Sequence, residues 1–309
     1  MLAFNALIEA KRVGELGAGF GVVADEVKGV SASVDMLAQS LSSELVAEIS
    51  ALEQTICNMI SQANGKRLID LSLNAVELID RNLFERTCDV RWWATDSALV
   101  DAIDNDAASA RDYASKRLGV ILGAYTVYVD LWLCDMNGKI IANGRPDIYP
   151  VIGEDVSYKN WYRQARNLQS GDDYIVDDIT EESLLSNAQI ATYAASVRKN
   201  GDLHGEQIGV LGIHFDWEPQ AASIVNGIRL TNEEADRTSV LLIDAQDRII
   251  ASSDPKRRLG ETFDLSLTDP EAGFYTSKSG ETVGYHLTPG YETYAGLGWR
   301  GVIVQRATR

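Results

Sequence analysis

The sequence predicts an α+β protein: a long N-terminal helix or coiled coil followed by two antiparallel-sheet subdomains. Three observations carry this expectation. Apolar residues recur at alternating steps of four and three from Leu45 to Ala63, the apolar period switches to two from Tyr125, and the β-rich part falls into two stretches built on one plan. The expected boundaries are a hairpin-like segment at 1–35, a helical stalk at 36–115, a larger sheet subdomain at 116–230 and a smaller one at 231–309. A chain of 309 residues is long enough to bury a substantial core in two or more such domains.

The elements follow in order. Ala6, Leu7, Ala10 and Val13 share one helix face, and Gly14, Gly17 and Gly19 then cluster where positive φ would let a helix reverse. Phe20, Val23 and Val27 restart an apolar face. Leu45, Ile49, Leu52, Ile56, Met59 and Ala63 form a coiled-coil seam, with Glu44, Glu48, Glu53 and Gln54 on the solvated side. A lone helix of this kind is marginal, so the seam needs cover. A parallel homodimer is expected, although packing on the chain's own domain satisfies the same pattern. The tract continues through Leu68–Glu85 to Trp92 and Trp93, which point roughly 100° apart, so one of them faces a given core. Thr95 reads as the start of a helix, and another helix runs from Ala107 to Ala124.

The strands come next. Residues 126–144 read as a hairpin about an Asn137-Gly138 turn. A short helix is expected within 155–167, strands at 174–179, 189–201 and 209–217, and a helix over 218–228. The second stretch has a hairpin over 239–254, turning at Gln246 and Asp247, then strands at 273–278, 280–290 and 297–306.

Composition excludes several classes. A net charge of -17 argues against a nucleic-acid partner, which needs clustered Lys and Arg. No run of 18 apolar residues suggests a membrane span, and residues 1–30 lack the layout of a secretory signal. Cys57, Cys88 and Cys134 are widely spaced, which suits reduced thiols and a cytoplasmic location. His204, His214 and His286 show no metal-ligand spacing, and no nucleophile elbow or phosphate loop is present. No catalytic residue, metal or cofactor is expected, and the protein does not read as an enzyme.

Residues 5–28, NALIEAKRVGELGAGFGVVADEVK, resemble the hairpin tip of methyl-accepting chemotaxis proteins. The resemblance implies that Glu9, Arg12 and Phe20 lie where receptors touch each other, a chemotaxis histidine kinase and its coupling protein. The helix arm that precedes the turn in that family is missing, so a second reading is a stand-alone binding module whose signalling tip is a relic. Residues 68–309 resemble a double Cache sensor, two PAS-like units after a long helix. DRNLFERTCDVRWWATD, SYKNWYRQA, GVLGIHFDW and YETYAGLGWRGVIVQ carry the likeness. The family places its sensor before a membrane helix and the hairpin, whereas here the order is reversed.

The Cache resemblance implies a ligand in the larger unit, between its sheet and a capping helix. Amino-acid-binding relatives hold a carboxylate with Arg-x-Trp-Tyr, where this chain has Lys159, Asn160, Trp161 and Tyr162. Lys keeps the charge but loses the two-pronged fork. His214 stands where such relatives carry an amine-binding Asp, with Asp216 two residues on. Tyr174, Asp177 and Tyr193 complete the candidate set. Each has a plainer alternative: Lys159 as a solvated cation, His214 as a core residue, Trp161 or Tyr162 as packing, and Asp177 opposed in facing to Asp178. The implied ligand is a small polar or anionic metabolite.

Overall fold

The computed structural model describes residues 2–12, 14–105 and 107–307. Val13, expected on the first apolar face, lies outside the described residues, as does Met1. The chain divides into two compact units, one up to Asn64 and one from Gly65 onward.

In the first unit, α1 (Leu2–Arg12) leads to a 3-10 turn (Gly14–Gly17) and then into α2 (Ala18–Trp93). Gly14 takes a positive φ of 69°, as the turn requires. Gly17 and Gly19 do not: Gly17 is buried in the turn and Gly19 is already inside α2. Leu45, Ile49, Leu52, Ile56 and Met59 remain between 47% and 66% exposed in the single chain.

In the second unit the last part of α2 becomes a core element. Leu68, Ala75, Val76, Ile79, Leu83, Val90 and Trp93 are buried, whereas Trp92 is 69% exposed. α3 (Ser97–Asp104) begins after Asp96, whose carboxylate accepts from the Ala98 amide, so the N-cap is Asp96 and not Thr95. α4 (Ala108–Ala124) follows. The larger sheet contains β1 (Tyr128–Asp135), β2 (Ile140–Asn143), β3 (Tyr174–Val176), β4 (Thr180–Glu182), β5 (Ala188–Arg198) and β6 (Gln207–Asp216), with α5 (Asn160–Ala165) before β3. Its order is β2-β1-β6-β5-β3, and β4 also pairs with β5. After α6 (Trp217–Gly227) and α7 (Asn232–Ala235), the smaller sheet contains β7 (Thr238–Ile243), β8 (Ile249–Ser252), β9 (Ala272–Thr276), β10 (Thr282–Leu287) and β11 (Arg300–Gln305), in the order β8-β7-β11-β10-β9. Every pairing is antiparallel.

The two sheets repeat one plan down to their turns. Asp135 accepts from the amides of Asn137 and Lys139, and Asp244 accepts from those of Gln246 and Arg248. The fourth turn residue has positive φ in both, Gly138 at 88° and Asp247 at 58°. Asn137 does not, so the expected two-residue turn is replaced by a longer one with a bulge between Leu133 and Cys134, matched by a shift between Leu242 and Ile243. Ile140 and Ile249 then donate to Glu154 and Glu261 in the same way.

A shared core lines α2, with Leu131, Leu211, Ile213 and Phe215 from the larger sheet and Val240, Leu242 and Ile303 from the smaller. Two buried carboxylates of α2 fix the sheets. Asp89 accepts from the Tyr128 hydroxyl at 2.6 Å and pairs with Arg86. Asp80 accepts from the Thr288 hydroxyl and from the Gly290 amide at 2.8 Å. A two-pronged Arg67–Glu234 pair, at 2.7 and 2.8 Å, adds α7.

Candidate functional site

Strand alternation divides the larger sheet into two faces. Val210, Gly212 and His214 of β6 lie on the α5 side, opposite Ser196, Ala194 and Thr192 of β5. Leu211, Ile213 and Phe215 turn to α2. A register shift between Tyr128 and Asp130 reverses the sense of β1, sending Tyr128 to the helix side and Val129, Trp132 and Cys134 beneath α5.

The α5 side holds an aromatic and polar cluster. The His214 ring lies 4.0 Å from that of Trp132 and 5.8 Å from that of Trp161, centroid to centroid. Trp161 can lie on the sheet because Gly212 is beneath it; a Cβ there would come within 3.0 Å of the indole. The Nδ1 of His214 is 3.1 Å from the Thr192 hydroxyl. Its Nε2 and the Nε1 of Trp161 are buried without a hydrogen-bond partner among the described residues. Burial pulls the His214 pKa down to about 3, helped by the charge of Lys159, so the ring is neutral at physiological pH. Asp130 is the polar anchor of this face. It accepts from the Leu131, Gly144 and Arg145 amides, the Trp132 indole and the Asn143 side chain.

The eight ligand candidates divide between the faces. Lys159, at the N-terminus of α5, pairs with Glu182 of β4 at 2.9 Å. Asp177 accepts from Asn160 of α5 at 2.9 Å. Asp216 shares the face of His214, and burial first, then Glu218, raises its pKa while Arg145 opposes the rise. Tyr162, on α5 itself, is buried, but its hydroxyl donates to the Asp135 carbonyl at 2.8 Å, and burial raises its pKa to about 12. Tyr174 and Tyr193 are not brought to this face. They pack with the α2-side core, Tyr174 beneath the Arg91 guanidinium, because their strand positions are out of phase with Thr192 and His214. In the first unit, Glu9 and Arg12 form an exposed pair at 3.4 Å, and Phe20 is exposed.

Sequence reasoning missed Asp130, Trp132, Thr192 and Glu182. The alternation of Asp130 and Trp132 was legible, since both precede the turn on one strand. Glu182 had no local signal, because it meets Lys159 only through the fold.

Residues 1–91 match the family model of the methyl-accepting chemotaxis protein signalling domain. The chemotaxis proteins McpQ and McpS of Pseudomonas putida are 37% and 43% identical over 73 residues, which is 24% of this chain and 11% of each relative. The chain thus spans a small part of the curated relatives it matches. Among solved structures, the sensory domain of the Campylobacter jejuni chemoreceptor Tlp3 superposes with a TM-score of 0.59 at 15% identity, covering 81% of this chain and 96% of that one. The sensor domain of the V. cholerae histidine kinase DctB gives 0.56 at 14% identity, covering 82% and 99%. The ligand-binding domain of the Pseudomonas aeruginosa amino acid chemoreceptor PctC, in complex with GABA, gives 0.56 at 18% identity, covering 78% and 99%. At these identities the likeness is one of fold.

The two likenesses fall on different parts of the chain, a signalling-domain match at its start and a sensor-domain fold after it. Residues 1–91 are similar to the methyl-accepting chemotaxis protein signalling domain, and the paired sheets have the fold of Cache sensor domains.

Proposed function

We propose that the chain binds a small polar metabolite beneath α5 and relays its occupancy along α2 to a chemotaxis histidine kinase and its coupling protein. One observation carries the reading. α2 includes most of the chemotaxis-domain match and also, through Asp80 and Asp89, the buried anchors of both sheets. Trp161, Asp177, His214 and Asp216 are the ligand-facing residues in this account, Lys159 stands at the edge of the site in its pair with Glu182, and Glu9, Arg12 and Phe20 are the signalling contacts. A ligand acts only through its different affinity for two arrangements of sheet and helix.

The exposed seam from Leu45 to Met59 supports a homodimer, and the spacing of the cysteines supports a cytoplasmic setting. Among the described residues, no helix is long and apolar enough to cross a membrane. The domain limits 1–35, 36–115, 116–230 and 231–309 are carried as part of the proposal.

A reconstituted kinase assay tests the relay. The chain with coupling protein and kinase should change phosphorylation when a ligand found by thermal-shift screening is added. No change at saturation, with binding intact, would exclude the relay. Sedimentation as a monomer at working concentration would exclude the dimer.

A further inference from the structure

The cations whose charge reaches His214 and Asp216 are already committed. Lys159 lies 2.9 and 3.1 Å from the two Glu182 oxygens, and Glu182 is buried and also accepts from the Leu184 amide. Drawing Lys159 onto a ligand carboxylate would strand that buried carboxylate without its cation. Arg145 donates through Nη1 to the Tyr128 and Val129 carbonyls at 3.2 and 2.7 Å. His214 is neutral, for the reason given above.

What remains unpaired has the opposite character. His214 Nε2 and Trp161 Nε1 are buried without partners, and the Asp216 carboxylate accepts no hydrogen bond among the described residues. A buried polar atom left in this state has lost its hydrogen bond to water, and a suitable ligand would restore one. Alternate positions on one strand face lie roughly 7 Å apart, so a single ammonium can approach both Asp216 and the His214 ring.

We propose, building on the sensing role above, that the α5 site selects a small amine that lacks a carboxylate and carries a neutral oxygen. Asp216 and His214 Nε2 receive the ammonium, and Trp161 Nε1 donates to the oxygen. Amino acids are disfavoured because Glu182 holds Lys159, the lysine at the start of α5, away from their carboxylate.

Isothermal titration of the full chain with four probes of similar size tests this: L-alaninamide, ethanolamine, L-alanine and propionate. The first two should bind at least about tenfold more tightly than L-alanine, and propionate should give no heat. Asp216→Asn and Trp161→Phe should each weaken binding of ethanolamine about tenfold. Glu182→Gln, which releases Lys159, should strengthen binding of L-alanine. Tighter binding of L-alanine or propionate than of the amines overturns the proposal, and so does amine binding indifferent to Asp216→Asn. Silence from all four probes also overturns it, while the relay stands or falls separately in the kinase assay. A kinase response to L-alanine would sustain sensing and sink the amine assignment.

Discussion

The two sheets share strand order and opening turn, yet they place their glycines and their polar groups differently. In the smaller sheet, Gly284 and Gly301 face α2, and a Cβ on Gly301 would lie 2.4 Å from the Ser72 carbonyl oxygen. In the larger sheet, Gly212 faces α5 and admits the Trp161 ring. On its outer face the smaller sheet satisfies its buried hydroxyl: Tyr285 accepts from the Thr268 and Asp269 amides and donates to the Asp269 carbonyl. The larger sheet leaves His214 Nε2 and Trp161 Nε1 unpaired. One copy of the plan therefore grips the helix with its backbone and pairs the Tyr285 hydroxyl on its outer face, leaving Arg300 Nε and the Tyr294 hydroxyl elsewhere without partners among the described residues, while the other keeps unmet hydrogen-bonding capacity under a short helix. Unmet capacity under α5 calls for an explanation, and the proposed ligand would supply one.

The largest expected effect falls on the anchor of the larger sheet. Asp130→Ala leaves buried donors from Trp132 and Asn143 and three backbone amides without an acceptor, and should destabilise the second unit by on the order of 3–5 kcal/mol. Urea unfolding measures it. Gly301→Ala comes next, at about 3 kcal/mol, because the obstructing atom belongs to the α2 backbone and cannot rotate away. Gly212→Ala meets only an indole edge and should cost about 1 kcal/mol. If the two glycine variants came out equal, the contrast between helix-gripping and site-forming sheets would fail.

Acid should separate the copies as well. His214 has a folded pKa near 3 against an ordinary value of 6.5, so the folded state binds fewer protons than the unfolded chain between those values. The stability it contributes is present above pH 6.5 and is lost as pH falls toward 3, on the order of 2 kcal/mol by about pH 5. Comparing wild type with His214→Gln by urea unfolding across that window isolates the effect. The variant should lose the part of the slope that belongs to His214, and an unchanged slope would mean that the imidazole is already protonated or solvated in the folded chain.

How far the sequence carried these conclusions varies by element. The change of apolar period at Tyr125 and the two opening hairpins were legible, because each depends on local alternation and turn chemistry. The heptad seam was legible for the same reason. The continuation of the helical tract to Trp93 was legible too, but the reason for Gly65 within it was not, because a Cβ there would lie 2.3 Å from Phe274, a residue of the second sheet. Tyr174 and Tyr193 were assigned to the ligand side because sequence gives the period of a strand but not its phase relative to its neighbour. That phase follows from the register of Tyr193 with Ile213 and of Thr192 with His214. The Lys159–Glu182 pair joins residues 23 apart through two elements whose meeting is a property of the fold, so it left no trace in the spacing.

The smallest expected effect on stability tests how the two sheets communicate. Asp178 of the β3–β4 connection pairs with Arg248 at 2.9 Å, and Arg248 also grips Asp244 in the opening turn of the smaller sheet. The preceding residue, Asp177, accepts from Asn160 of α5. This connection is therefore tied on one side to the helix over the candidate site and on the other to the second sheet. Arg248 and Asp178 are 47% and 39% exposed, so solvent screens their pair, and Asp178→Asn should cost about 0.5 kcal/mol or less. Its consequence lies elsewhere. Amide exchange over residues 177–182 should quicken in the variant while the strands β5 and β6 keep their protection, since the change removes a local tether and leaves the core intact. Unaltered exchange would show that the smaller sheet does not restrain the segment next to α5, and any relay would then have to run through α2 alone.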